Sequence, residues 1–332
     1  MSIEEALQSI LHGQRPEPRG VSLGLNRRVK DHLARRSMAA LTLAMGLLVP
    51  LIALVLLLRA WPILATRPLG DLLLATAWQP LKGAFGFAPF IMSTLWVTSV
   101  GMIIAVPPSL LTAIYLAEYA PARVHTLVKP FIELLASIPS VIFGVWGVLA
   151  IVPFLERVVS PTLGHWLGFI PLFRADNPTG YCVLAGGLVL AVMVFPIIIA
   201  VTEEVIRAVP QGLREASFAL GATRWQTVKH VVMRRAMPGV AAAVVLGFSR
   251  AFGETMAVLM VVGNVPKVPH SVFDPAYPLT ALIANNYGEM MSIPLYDAAL
   301  MGAALILLLI VLIFNILARL LLLQWVRSKQ ET

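Results

Sequence analysis

The apolar residues of this chain gather into long unbroken runs instead of alternating or recurring on one face. Six runs stand out, at 38–58, 90–116, 131–154, 181–201, 238–263 and 297–323. Each reaches the about 20 residues that a helix needs to cross the hydrocarbon core of a bilayer. Backbone in lipid must satisfy its polar groups internally, so such runs predict transmembrane helices. Six crossings place both termini on one side. Pro107 and Pro108 sit inside the second run and predict a helix that kinks or unwinds there. The connections 61–89 and 265–294, rich in Pro, Gly and aromatic residues, predict interfacial loops and short re-entrant pieces. No fixed-period repeat or low-complexity tract interrupts the series.

Composition agrees with a lipid solvent. The 332 residues are 58% hydrophobic and 13% charged, against about 45 to 50% and about 25% in ordinary soluble domains. One membrane domain accounts for them, with membrane lipid as its surroundings. The net charge of +8 does not point to nucleic acid, because Lys and Arg lie in the connections and form no basic face. With the N-terminus inside, 17 of the 25 Lys and Arg fall in cytoplasmic segments and 6 in outer ones, while Arg250 and Arg319 lie within apolar runs. This bias places both termini in the cytoplasm. The expected division is a cytoplasmic tail at 1–37, a transmembrane domain at 38–323 and a second tail at 324–332. The first run is of full spanning length and reads as an uncleaved helix, since a secretory signal core is shorter.

The single cysteine, Cys182, has no partner for a disulfide or thiolate metal site. Glu118, Glu203 and Glu204 lie at helix ends and read as structural. Trp61, Trp78, Trp96, Trp146 and Trp166 fit an interfacial belt.

One connection, 205–237, is too polar to span and too patterned to be disordered. Leu213, Ala216 and Leu220 share one stripe of a helix, and Gly221 stands where a helix C-terminal glycine belongs. Thr223 and Gln226 then form a capping box that opens a second helix. Two readings of this helix, turn, helix element stay open on pattern alone: a folded loop packed on its own membrane domain, or a docking element for another protein.

Several motifs resemble one family. Ala117-Glu118-Tyr119-Ala120-Pro121, Ser137-Ile138-Pro139-Ser140-Val141, Ala208-Val209-Pro210, Leu213-Arg214-Glu215-Ala216-Ser217 with Gly221, and the stretch from Arg250 to Val258 followed by Gly263-Asn264 are similar to those of bacterial ABC importer permeases. The likeness is greatest to phosphate importer permeases of the PstC type. The chain departs from the family motif where Leu-Pro is usual and Met233-Arg234 stands instead, with a proline only at Pro238. The resemblance implies a type I ABC importer permease fold in a bacterial inner membrane. It assigns Leu213, Arg214, Glu215, Ala216, Ser217 and Gly221 to a loop that docks on a cytoplasmic ATPase. It further implies a heterodimer with a homologous permease, two ATPase copies and an extracytoplasmic phosphate-binding protein.

Arg250 lies inside the fifth run, where a charge costs about 2.5 to 3.5 kcal/mol to insert. Glu254 is four residues on, so a continuous helix predicts that the two project from one face. They either neutralise each other or form a substrate path. In the second reading Arg250 offers forked donors to a tetrahedral oxyanion. Glu254 then accepts a hydrogen bond from the proton that phosphate retains and sulfate lacks.

No segment matches GxxxxGK[ST], and none of the six lysines precedes Ser or Thr, so the chain lacks that phosphate cradle and no cofactor is expected. His125, His165, His230 and His270 fall in separate connections without HExxH spacing, and no GxSxG occurs, which argues against an intramembrane enzyme. The competing class is a stand-alone secondary transporter or channel. Sulfate or molybdate remains an alternative cargo.

Overall fold

A computed structural model describes residues 24–328 apart from 176, 178, 290–292 and 294. The chain divides into two units, Met1–Leu54 and Val55–Thr332. In the first, helix α1 (Gly24–Thr66) is already formed within the basic stretch ahead of the first run. Every side chain from Lys30 to Ile52 is exposed, as suits an apolar run from Met38 onward whose solvent is lipid.

In the second unit, α1 ends with Ala60 and Ile63 buried. There follow α2 (Leu69–Leu74) and an antiparallel ribbon of β1 (Trp78–Gln79) and β2 (Ala84–Phe85). Trp78 packs edge-on to Phe85 and Phe90, and this aromatic group joins Phe87 and Tyr296 in one small core.

The centre of the unit is a pair of long helices, α3 (Ala88–Ile114) and α8 (Val183–Arg207). They pack more extensively on one another than any other pair. Glycine makes this possible. A Cβ on Gly187 would lie 2.6 Å from Val100 Cγ1 and 3.2 Å from the Gly101 amide, and one on Gly101 would lie 3.2 Å from the Gly187 carbonyl. α3 passes through Pro107 and Pro108 without unwinding and widens only beyond them, in a π-helical turn at Tyr115–Tyr119.

Next come α4 (Ala122–Ser137), α5 (Ser140–Trp146), α6 (Val152–Phe154) and α7 (Ser160–Leu167), the last three joined through two π-helical turns into one long segment. Beyond α8 lie α9 (Gln211–Ala219), α10 (Arg224–Thr227), α11 (Met233–Gly253), α12 (Met256–Val261), α13 (Leu279–Asn286) and α14 (Tyr296–Ser328).

Six helical segments among the described residues are long and apolar enough to cross a membrane: Lys30–Thr66, Ala88–Tyr119, Ser140–Leu167, Val183–Arg207, Arg224–Gly253 and Tyr296–Gln324. The first span extends beyond its sequence-based run at both ends, and the third and fifth are displaced from theirs. The run at 131–154 is cut by an extended pair, Ile138 (ψ 129°) and Pro139 (ψ 139°), because a residue before proline is pushed out of the helical region. The third span therefore starts at Ser140, and Phe131, Leu134 and Leu135 belong to the separate α4. The run at 238–263 ends its helix at Gly253, since Glu254 is extended (φ −71°, ψ 128°). The segment after α12 is tied to the start of α8. The Val183 amide donates to the Asp274 carbonyl at 2.9 Å and the Leu184 amide to the Val272 carbonyl at 2.8 Å.

Candidate functional site

The patterned connection folds as a helix, turn, helix. α9 closes in a Schellman turn: the Gly221 amide donates to the Phe218 carbonyl at 2.9 Å and the Ala222 amide to the Ser217 carbonyl at 3.2 Å. Gly221 takes the left-handed conformation (φ +82°) this turn requires. The capping box is present, with the Gln226 amide donating to Thr223 Oγ1 at 3.3 Å and the Thr223 amide to Gln226 Oε1 at 2.8 Å.

Which face is covered is not what the apolar stripe suggests. Arg214 and Ser217, three residues apart, point inward and are buried. Leu213 (41% exposed) and Leu220 (89%) face solvent with Glu215 and Ala216. Phe218 and Trp225, which periodicity did not single out, are 45% and 57% exposed beside them. A tryptophan inside a capping box, on an otherwise polar connection, was the available signal.

Inside, Arg214 makes an ion pair with Glu118. Its Nη2 donates to Glu118 Oε1 at 2.6 Å and its Nε to the same oxygen at 3.1 Å. The same guanidinium donates to the carbonyls of Ile206 (2.9 Å) and Val209 (2.5 Å) at the exit of α8. Arg224 donates to the Glu118 carbonyl and lies over the Tyr119 ring, 4.9 Å from its centroid. Ser217 and Thr227 hydroxyls meet at 2.9 Å and join the two loop helices. Close by, the buried Glu203 carboxylate is held by His125 Nε2 at 2.7 Å and Arg207 Nε at 2.9 Å. Arg207 also donates to the Leu116 carbonyl at 3.2 Å.

The second candidate pair does not meet. With α11 ending at Gly253, Arg250 is exposed in its last turn, where the helix dipole favours a cation. Among the described residues no ion pair joins it to Glu254. Glu254 Oε1 instead accepts the amides of Thr255 (3.1 Å) and Ala257 (3.4 Å) at the start of α12. Thr280 Oγ1 donates to the Glu254 carbonyl at 3.0 Å and fixes the break from the other side. Glu254, Thr94, Thr98 and Thr280 line a narrow cavity among apolar side chains, and Arg250 is not part of its wall.

Comparison with known proteins agrees with this architecture. Residues 109–325 match the family described as binding-protein-dependent transport system inner membrane component. The phosphate transport system permease protein PstC of Haemophilus influenzae is 35% identical over 90% of this chain and 95% of its own length. The protein of that name from Pasteurella multocida is 38% identical over 74% of this chain and 78% of its own. A crystal structure of a bacterial ABC transporter involved in import of the acidic polysaccharide alginate contains a chain that superposes with a TM-score of 0.52. It covers 88% of this chain and 98% of the other at 17% identity, which speaks to fold alone. A multi-pass chain of six apolar helices, matched over most of its length, belongs to the family of binding-protein-dependent transport inner membrane components, among the relatives named PstC.

Proposed function

We propose that this chain is the membrane-spanning permease subunit of an ATP-driven phosphate importer, with both termini and the 205–237 loop in the cytoplasm. The observation that carries the reading is the outward apolar face of α9 and α10. Leu213, Ala216, Phe218, Leu220 and Trp225 are exposed on a loop that its own chain holds from behind through Arg214 and Ser217. Apolar side chains presented together on a polar connection mark a docking surface. A cytoplasmic ATPase subunit fits it, because the chain has no GxxxxGK[ST] cradle of its own. Gly221 and the capping box fix the angle between the two helices, so the surface is presented preformed.

In this reading the partner hydrolyses ATP, and its closure pushes on α9 and α10 to switch the permease between outward and inward access. A homologous permease completes the pore, and an extracytoplasmic phosphate-binding protein delivers cargo. The expected division into tails at 1–37 and 324–332 around one transmembrane domain belongs to the same proposal. Phosphate is supported by the names of the curated relatives. Arg250 supplies an exposed cation with forked donors for a tetrahedral oxyanion. Glu254, whose Oε1 accepts two backbone amides, offers its carboxylate as the acceptor of a hydrogen bond from the proton that phosphate retains.

The test is uptake of labelled phosphate by the reconstituted complex with ATPase and binding protein, with and without excess sulfate. Uptake that requires ATP hydrolysis and resists sulfate is expected. Robust uptake by this chain alone would instead establish a secondary transporter or channel, and equal competition by sulfate would remove the phosphate assignment.

A further inference from the structure

The inward face of α9 has a role separate from docking. Glu118 is a node: its carboxylate takes the guanidinium of Arg214 from α9, and its carbonyl takes that of Arg224 from α10. Both helices of the loop therefore grip the same residue of the π-helical turn that ends α3. Arg214 also ties the carbonyls of Ile206 and Val209, so one guanidinium spans α9, the end of α8 and the end of α3. We propose that Arg214 and Glu118 are positioning residues that transmit displacement of the loop to α3 and α8, while the exposed residues of α9 and α10 only hold the ATPase. This rests on the ATP-driven reading above.

Three observations support transmission over simple packing. The side chains of Arg214 and Glu118 are 10% and 9% exposed, so water competes little for them, and charge-assisted bonds of a planar fork resist bending as well as stretching. The helices they reach are the central pair, not peripheral ones. A second cluster, around the buried Glu203, locks the receiving end: Glu203 on α8 holds His125 on α4, and the half-exposed Arg207 reaches the Leu116 carbonyl in the turn that also carries Glu118. A push arriving through Arg214 is thus shared by three helix ends. A buried ion pair is weak evidence of a stabilising role, whereas one that joins a loop to two spans offers a route for coupling.

The experiment measures phosphate carried per ATP hydrolysed in the full reconstituted complex. Glu118→Gln and Arg214→Lys are expected to retain the ATPase at wild-type stoichiometry and to lower that ratio at least about threefold, near the lower end of the range for coupling mutations. Glu118→Asp, which keeps the charge, should retain more of the ratio than Glu118→Gln. Leu220→Asp serves as the contrast, since it should reduce the amount of ATPase bound. An unchanged ratio in both Glu118→Gln and Arg214→Lys overturns the proposal. So does loss of ATPase or failure to assemble in all three inward variants, which would assign the pair to folding alone. If the wild-type complex carries another oxyanion, the same ratio is read with that ion, so failure of the phosphate assignment is separate from failure of this one.

Discussion

Single residues set the geometry of the loop and, in the proposed importer, the choice of cargo. Gly221 has open space around its Cα but a φ of +82°, so Gly221→Ala acts through backbone strain alone and should cost about 1 kcal/mol. Thr223→Ala removes the capping box and should cost about 1 kcal/mol as well. Both changes should speed hydrogen exchange over 211–227 without altering exchange in α3 or α8. At the other site, Arg250→Ala should lower phosphate uptake about tenfold or more, the loss expected for a charge-assisted hydrogen bond. Glu254→Gln keeps an oxygen able to accept the Thr255 and Ala257 amides, so assembly should persist. The preference for phosphate over sulfate should fall, since a site built to accept a ligand's proton loses its grip without the acceptor charge. Unchanged competition by sulfate in that variant would show Glu254 to be a cap and nothing more.

At the scale of elements, much was legible and the failures have identifiable causes. Three of the six runs, at 90–116, 181–201 and 297–323, announced their spans to within a few residues at one end or both, and the run at 38–58 lies wholly inside its helix, because length and apolarity are what lipid selects. The third run was misplaced: Phe131, Leu134 and Leu135 are apolar side chains on an exposed helix, and hydropathy cannot tell these from the start of a span. Pro139 was the signal that could have divided them. The fifth run concealed a break because Glu254 interrupts a stretch whose neighbours remain apolar, and its extended backbone is set by Thr280 and α12 from distant parts of the chain. The close seam of α3 and α8 was not legible at all, as Gly101 and Gly187 acquire meaning only when the two helices are side by side. Gly187→Val should cost about 1 to 3 kcal/mol through overpacking against Val100, seen as a lower Tm of the detergent-solubilised complex.

For the whole molecule, the helix, turn, helix loop was visible in its glycine, its cap and its stripe, but its orientation was not. Periodicity groups residues on a face and does not say which face is covered. Here the covered face is the polar one, because Arg214 finds a carboxylate and two carbonyls there, and the apolar one is left uncovered. The seam of α3 and α8 has a mechanical consequence. Where backbone meets backbone at Gly101 and Gly187, the helices cannot roll over one another, so the pair travels as a single stiff strut. Bending between access states is then left to places where the helical ladder is already open, at Ile138 and Pro139 and at Glu254 and Thr255. In the proposed importer, bending between access states is expected at these two joints and not within the strut.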